Sequence, residues 1–294
     1  MKINSGKPIV VGTTNKVSVP VTYSVKHAAS VDITADDFIL GVEIYRGSYD
    51  QPANLLFGDY VPSCTETSST AASCKSTIDV YPQDELLNED AGTWKADGYA
   101  VALNGVHLDD ENADWSKVGA VGQDALATTK LQRYSRLTVN ASPEPVKKGK
   151  TITVTGLLSR ANWDTGKYAG YTVQPVGLQF RTKSASTYTS SLKTVKSDST
   201  GNLKTTTTAT VDGYFRYNFA GTSTTPARPV AFAPAKSLVR GAQPAWGSLE
   251  AHCTWVLSAA GCWWLRSQYL FGSHGLPGAS RCSRHDDAAR IQQS

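Results

Sequence analysis

The stretch RLTVNASPEPVKKGKTITVTGLLS, residues 136–159, decides the fold class of this chain. Ile152 and Val154 alternate with threonines, which is the period of two expected for a strand with one buried and one wet face. KKGK supplies a turn before this strand, DSTGN a hairpin turn further on, and DGYFRYNFAGT a last alternating strand. The pattern predicts a small antiparallel β-sandwich over residues 136–227.

Residues 1–135 show the same kind of alternation. Val17, Val19 and Val21 share one face of a strand, and an apolar strand follows over residues 38–45. The polar segment QDELLNEDAG is either a helical turn or a connector. No Gly/Ser-rich or Pro-rich hinge precedes Pro143, so we expect a second β domain that is joined to the first by a nearly continuous strand in a fixed orientation.

The chain also contains a hint of an internal repeat. KVSVPVTYS, starting at Lys16, resembles KTITVTGLLS, starting at Lys150. The tripeptide at residues 97–99 is Asp-Gly-Tyr, and so is the one at residues 212–214. These likenesses indicate either a duplication or convergent strand chemistry.

The net charge of +4 conceals a strong asymmetry. Residues 1–135 carry 10 Lys and Arg against 18 Asp and Glu, a net of −8, whereas residues 136–225 carry 12 against 4, a net of +8. Opposite charges of this size favour contact between the two parts, or cation binding by the first. The second part holds mostly single lysines spaced through Thr and Ser, which is typical of a solvated face rather than of nucleic-acid binding.

Cysteine usage indicates an oxidising compartment. Cys64 and Cys74 flank the flexible polar loop TETSSTAAS, which a disulfide could close; two free thiols are the alternative. No His or further Cys lies nearby in the sequence to complete a zinc site. No apolar run reaches membrane-spanning length. Met1 is followed by KINSGKPIVVG, which lacks the pattern of a signal peptide, so we expect that a leader was removed or that the start lies too late.

Three segments of the second part carry a family resemblance. They read LTVNASPEPVKKGKTITVTGLLSRANW, LQFRTKSASTY and VKSDSTGNLKTTTTATVDGYFRYNFAGTSTTPA, and they resemble the Ig-like β-sandwich repeats of secreted actinobacterial proteins, some of them labelled calcium-binding. Residues 1–135 resemble, less specifically, the β-rich partner often found ahead of such a repeat. The resemblance implies an all-β protein of two antiparallel Ig-like β-sandwich domains in tandem, exported and non-catalytic. It supplies no functional residues.

The composition changes abruptly after residue 227. Before Pro226 there are 16 Lys and 6 Arg, and from Pro226 onward there are 1 Lys and 6 Arg, with four of the seven Trp. Enrichment in Arg, Ala, Gly, Pro, Ser, Trp and Cys without periodicity is what a GC-rich gene gives when read out of frame. Residues 228–294 are therefore predicted to be an out-of-frame or disordered tail, which would leave the second sandwich without its last strand and with an exposed edge.

Two alternatives for this tail stay open. One is a buried helix over residues 254–270, which Gly261 and Arg266 interrupt. The other is a metal site, although the spacing of its candidate ligands matches no CxxC or HxxxH pattern. Those candidates are His252, Cys253, Cys262, His274, Cys282 and His285.

The sequence does not predict an enzyme. His27 and His107 are the only histidines before the tail, and neither GxSxG nor HExxH occurs. Paired carboxylates are plentiful in the first part, but a sequence cannot distinguish a glycosidase pair from solvated acids.

Calcium is the better chemical hypothesis, because irregular acidic loops in β-sandwiches can supply its six to eight oxygen ligands. The alternative is a solvated acidic loop, since no DxDxDG spacing is present. The candidate ligands are Asp109, Asp110, Glu111 and Asp114, and secondarily Glu89 and Asp90.

Aromatic residues give a third hypothesis. Trp163, Tyr168 and Tyr171 lie close together in sequence, beside Asn162 and Asp164. Ring faces with nearby polar groups are how sugar-binding modules hold glycans. The alternative is that these rings cap the core of the sandwich, where one buried Trp is expected.

Together these patterns predict an exported, non-catalytic cell-surface or extracellular binding or structural module, with calcium as its candidate cofactor. The alternative is a carbohydrate-binding accessory module that uses Trp163, Tyr168 and Tyr171. We expect a cell-wall or extracellular glycan or protein as the partner, no nucleic acid and no membrane span.

Overall fold

The computed structural model describes residues 1–107, 109, 111–188, 191–229 and 233–235. These residues form β-strands with a few short helical turns, in one compact unit. The helices in the described part of the chain are too short and too polar to cross a bilayer. The all-β prediction is confirmed.

Nine strands build the first sandwich. They are β1 (Lys2–Ile3), β2 (Ile9–Val11), β3 (Val17–Lys26), β4 (Phe38–Gly47), β5 (Pro52–Phe57), β6 (Ser63–Ser68), β7 (Ala71–Val80), β8 (Gly92–Ala102) and β9 (Gly119–Arg133). The helical elements are α1 (Pro82–Glu85) and the 3-10 turns Asn4–Gly6, Asn88–Asp90 and Trp115–Lys117. QDELLNEDAG is thus mostly helical turns.

These strands pair into two sheets with the immunoglobulin-like order. One sheet runs β1-β3-β7-β6 and the other β2-β9-β8-β4-β5. In immunoglobulin terms the first is ABED, and the second is CFG extended by a C′ strand. One pairing departs from the antiparallel rule, since β2 runs parallel to β9. Within the described residues, that short strand closes the β9 edge of the second sheet.

The second sandwich follows through Tyr134, the only residue between β9 and the next strand. Its strands are β10 (Ser135–Leu137), β11 (Asn140–Ser142), β12 (Thr151–Asn162), β13 (Lys167–Gly170), β14 (Pro175–Thr182), β15 (Lys193–Lys196), β16 (Asn202–Thr208), β17 (Gly213–Phe219), β18 (Arg228–Pro229) and β19 (Ala233–Ala235). β10, β11, β13 and β16 pair with β12, and β15-β14-β17 form the facing sheet. This is again the immunoglobulin order, ABE against C′CFG.

Each sandwich buries its own apolar core. Val19, Val21, Ile44 and Trp94 lie in the first, at alternate positions of their strands. Phe215 and its alternating neighbours on β17 lie in the second. Fully burying a side chain of this size contributes about 1.5–3 kcal/mol, so period-two alternation alone commits each strand to one face.

The hairpin of β12 and β13 crosses the junction and inserts Trp163 into the first core. Trp163 is 3% exposed, and its indole N–H donates to the carbonyl of Gly12 at 2.8 Å. The side chain of Asn88 donates to Asn162 and accepts from the Trp163 backbone N–H. The second sandwich therefore completes the core of the first.

Two local expectations need correction. The polar TETSSTAAS segment is not a flexible loop, because it forms the β6–β7 hairpin, in which Cys64 and Cys74 stand directly opposite each other. The second sandwich does not lack its closing strand either: β18 and β19, from the segment assigned to the tail, both pair with β17. The remaining residues after 235, including the candidate cysteine and histidine ligands, lie outside the described residues.

Candidate binding surface

The five-stranded sheet of the first sandwich has an outer face that combines carboxylates with aromatic rings. The strand register decides which side chains reach this face. Val42 and Ile44 point into the core, so their neighbour Glu43 points outward, opposite Asp97 on β8. We call this surface the acidic–aromatic face, formed by Glu43, Tyr45, Tyr49, Phe57, Tyr60, Asp97, Tyr99 and Asp124.

A large bulge brings Asp124 to this face. Ala96 pairs with Ala127, but Gly98 pairs with Gln123, so residues 124–126 of β9 are inserted opposite Asp97 alone. Ala125 takes a left-handed conformation, φ 55°, within this insertion. The Asp124 carboxylate accepts hydrogen bonds from the Tyr45 hydroxyl and from the Ala125 backbone N–H. The bulge thereby adds a third carboxylate to the Glu43 and Asp97 pair.

Asp97 is the most perturbed acid on the face. It is 1% exposed, and its Oδ1 has no hydrogen-bond partner among the described residues. Burial raises the pKa of Asp97 to about 7, assisted by a hydrogen bond to the Glu43 side chain and by the charges of Glu43 and Asp124. Burial and hydrogen bonding to Asp124 raise the pKa of the Tyr45 hydroxyl as well. The centre of the face therefore places a buried acid with a raised pKa beside two further carboxylates.

Aromatic rings surround these acids and reach solvent. Phe57 is 52% exposed, Tyr60 71% and Tyr49 42%. The ring of Tyr99 lies over Gly41, where an added Cβ would come within 2.2 Å of it. A glycine at position 41 is what lets this ring lie flat against the sheet. Exposed rings grouped in this way mark interaction surfaces more often than isolated ones do.

A cavity of about 390 Å³ opens at one end of the first sandwich. Tyr23, Leu40 and Leu126 are among the residues that line it, and none of its described lining residues is acidic. Tyr99, which belongs to the acidic–aromatic face, also lines this cavity.

The acidic loop predicted to bind calcium is exposed. Asp109, Glu111 and Asp114 are at the surface, and Asp110 lies outside the described residues. Asp114 accepts from the backbone N–H of Ser116 and lies 3.9 Å from the Lys117 ammonium. No group of three acidic, His or Cys side chains in the described ranges is placed to hold a metal ion. Calcium binding stays a prediction.

The two secondary calcium candidates have different surroundings. Glu89 is exposed, whereas Asp90 is buried. The Asp90 carboxylate accepts from the side chain of Asn54 at 2.9 Å and from the backbone N–H of Leu87 at 2.7 Å, with Arg46 at 3.6 Å. These bonds tie the turn before β8 to the sheet.

The three aromatic residues predicted to bind a glycan do not share one surface. Trp163 belongs to the first core and Tyr171 to the second. The guanidinium of Arg160 lies 3.9 Å from the centre of the Tyr171 ring, and that of Arg136 lies 3.5 Å from the centre of the half-buried Tyr168 ring. Sugar binding by these residues stays a prediction, but protein groups already contact their rings.

The disulfide between Cys64 and Cys74 is confirmed. It joins opposed residues of β6 and β7, whose Cα atoms are 4.1 Å apart. The bond staples the hairpin at the edge of the four-stranded sheet, where β6 has β7 as its one neighbour.

The second sandwich presents a contrasting outer face. Gln179 and Arg181 of β14 lie opposite Arg216 and Tyr214 of β17. The Arg216 guanidinium lies 4.0 Å from the centre of the Tyr188 ring and donates through Nε to Gln179, while that of Arg181 lies 4.3 Å from the Tyr214 ring. We call this surface the arginine–tyrosine face, formed by those five residues.

Sequence reasoning did not single out either face. The VEIY segment carries a clue, since Glu43 is a lone acid between the two buried residues Val42 and Ile44. Such an acid must lie on the opposite face of the strand. The pairing with Asp97 and the bulge that brings in Asp124 depend on strand register, which the sequence does not specify.

Comparisons with known proteins find similarity among solved structures. No family model matches the chain, and neither does any curated protein. Among solved structures, a chimeric titin Z1Z2–Z1Z2 tandem carrying a GRGDS peptide from fibronectin is similar at 14% identity. That match covers 76% of this chain and 92% of the other, with a TM-score of 0.23. The fold assignment above therefore rests on the strand order.

Proposed function

We propose that this chain is a non-catalytic extracellular binding or structural module that makes its contacts through the acidic–aromatic face. The observation that carries the proposal is the exposure of Tyr49, Phe57 and Tyr60 beside the carboxylates of Glu43 and Asp124. Apolar rings supply contact area at little entropic cost, and polar groups beside them supply specificity. The Cys64–Cys74 disulfide supports an oxidising, extracellular setting.

The rigid junction supports a structural role. Gln132 donates from its side chain to the carbonyls of Thr222 and Ser223, both at 3.2 Å, and the Arg133 backbone N–H donates to Thr224 at 2.9 Å. These bonds come in addition to the insertion of Trp163 into the first core. A module that holds its two sandwiches at a fixed angle acts as a spacer that presents one face in a defined direction.

Retention on isolated cell envelopes tests this proposal. We expect the wild-type chain to be retained, and a Phe57→Ala/Tyr60→Ala variant to lose most of that retention, because truncation removes the exposed rings. Tyr81→Ala is the matched control, since Tyr81 is 43% exposed but stacks with Lys16, away from this face. Equal retention of all three proteins would refute the proposal.

A glycan is the second candidate for the ligand of this face. Rings that stack on sugar faces, with carboxylates that accept sugar hydroxyls, occur together at Tyr49, Tyr60 and Asp124. Pull-down on a panel of insoluble polysaccharides with the same variants tests this directly. Binding to one polysaccharide that Phe57→Ala/Tyr60→Ala abolishes would assign the glycan, and failure of the whole panel would leave a protein partner.

Calcium binding by the loop at residues 109–114 completes the proposal. Asp109 and Glu111 keep their carboxylates in solvent, where a cation could gather them. A ligand present at a hundredfold over its dissociation constant adds about 2.7 kcal/mol to stability, so saturating calcium should raise the melting temperature by several degrees relative to chelator. The Asp109→Asn/Glu111→Gln variant should melt alike in both conditions. An unmoved wild-type melt would remove calcium from the proposal.

A further inference from the structure

The two sandwiches carry opposite net charges over their sequences. The ion pairs Lys16–Asp79, Arg46–Asp90 and Lys117–Asp114 each join two residues of the first sandwich. The net is −8 over residues 1–135 and +8 over residues 136–225. Opposite net charges of this size favour contact between a first sandwich and a second one.

We propose that the arginine–tyrosine face of one copy docks on the acidic–aromatic face of a second copy, in a head-to-tail contact. The inference rests on the proposed function, because it names the partner of that same face. Both surfaces are outer faces of the sheet that contains the C and F strands in their sandwich. Their net charges are opposite, and both carry tyrosine rings that can pack together.

The arginine–tyrosine face is built to hold its charges in place. Stacking on Tyr188 and the bond to Gln179 fix the Arg216 guanidinium, while Arg181 donates to the carbonyl of Ala185 at 2.8 Å. A guanidinium whose plane is already fixed loses less freedom when it meets a carboxylate than a mobile lysine does. Fixed guanidinium groups above a sheet are therefore well placed to bind a patch of carboxylates.

The acidic–aromatic face offers the complementary groups. Glu43 is half-buried and Asp124 is exposed, and both lie beside exposed rings. Because the two faces are different surfaces of one chain, the contact is heterologous: each bound copy leaves one acidic and one basic face open. Association should therefore continue beyond the dimer and weaken with added salt.

Sedimentation velocity of the full chain tests the proposal at low and high ionic strength. Wild type should show a mass that rises with concentration at low salt and falls back to the monomer at high salt. Arg216→Glu should stay monomeric, whereas Lys204→Glu, which makes the same charge change on β16 of the opposite sheet, should associate like wild type. The conservative Arg216→Lys should retain part of the association.

The Glu43→Gln/Asp124→Asn variant removes two charges from the acidic–aromatic face and keeps the acceptor for the Tyr45 hydroxyl. This variant should also be monomeric alone. Mixed one to one with Arg216→Glu, it should form a dimer and nothing larger, since each protein then contributes its one intact face. A melt of each variant within a few degrees of wild type confirms folding.

Three outcomes would overturn the inference. They are a wild type that stays monomeric at low salt, association that both variants leave intact, and a mixture that fails to dimerise. If Arg216→Glu instead loses retention on dextran sulfate while wild type stays monomeric, the arginine–tyrosine face binds anionic polymers and not a second copy. Envelope retention of the monomeric Arg216→Glu chain separates the two proposals, because a dependence on Tyr60 there supports the proposed function without self-association.

Discussion

The two sandwiches share a strand order and differ in what they do with equivalent positions. The tripeptide at residues 97–99 lies within an F strand, and the one at residues 212–214 begins just before the other F strand. Each has an Asp with a buried carboxylate oxygen and a Tyr on the outer face of the sheet. Around Tyr99 the face collects carboxylates, and around Tyr214 it collects guanidinium groups. The fold fixes where a face lies, and the residues outside the core decide its charge.

They also differ in how they are held together. The first sandwich has a disulfide and borrows Trp163 for its core, whereas the core of the second is built from its own residues in the part of the chain that is described. The stability of the first sandwich therefore depends on the second, so a substitution in the β12–β13 hairpin should destabilise the first sandwich more than the second.

Trp163→Ala should cause the largest loss of stability. Truncating a buried Trp leaves a cavity, and large-to-small changes of this kind cost about 3–5 kcal/mol. The variant also loses the hydrogen bond to Gly12. Chemical denaturation should show an early transition of the first sandwich and a nearly unchanged second one. Trp115→Ala, at a ring that is 57% exposed, should change stability by less than about 0.5 kcal/mol. A single unchanged transition in Trp163→Ala would mean that the core does not depend on this ring.

Removal of the disulfide is expected to rank second. A bond closing a loop of 10 residues stabilises by about 2–3 kcal/mol through the entropy of the unfolded chain. Cys64→Ala/Cys74→Ala should therefore lower the denaturation midpoint of the first sandwich alone. A matched fall in the second sandwich would show that the two unfold as one unit.

Sequence periodicity was sufficient for the all-β class, because alternation such as Val17, Val19 and Val21 leaves a strand one way to bury its apolar side. Turn chemistry was sufficient to predict the turn that begins at Asp198, and cysteines flanking a polar segment were sufficient to predict the disulfide. The hairpin predicted at that turn was wrong, because β15 and β16 on either side of it pair with β14 and β12 in different sheets. The destination of Trp163 was not predictable, because the residue belongs to one sandwich by sequence and to the other by packing. The acidic–aromatic face was also out of reach, since the meeting of Glu43, Asp97 and Asp124 requires register and a bulge.

The pH dependence of stability should distinguish the two sandwiches next. Asp97 has a folded pKa of about 7, above its unfolded value near 4, so the folded state binds the extra proton between these limits. The stability that this proton contributes is present below about pH 4 and is lost as the pH rises through about 7. Asp97→Asn should remove this fall in stability with rising pH, and the first sandwich of the variant should be more stable than that of wild type at neutral pH. Denaturation midpoints measured from pH 4 to pH 8 would show this, and parallel curves for the two proteins would count against it.

The smallest expected change is in the pH dependence of the second sandwich's stability, and it runs in the opposite direction to that of the first. Hydrogen bonds from Thr200 and Asn202 lower the pKa of Asp198 to about 2, below its unfolded value near 4. The stability that the ionised Asp198 side chain contributes is present above about pH 4 and is lost as the pH falls through about 2. Because the side chain is fully exposed, the change should be slight, and Asp198→Ala should abolish it by removing the acceptor of the turn. Acid titration of the second transition in the Trp163→Ala background isolates this sandwich. If that transition fell with rising pH instead, the assignment of opposite acid responses to the two sandwiches would be wrong.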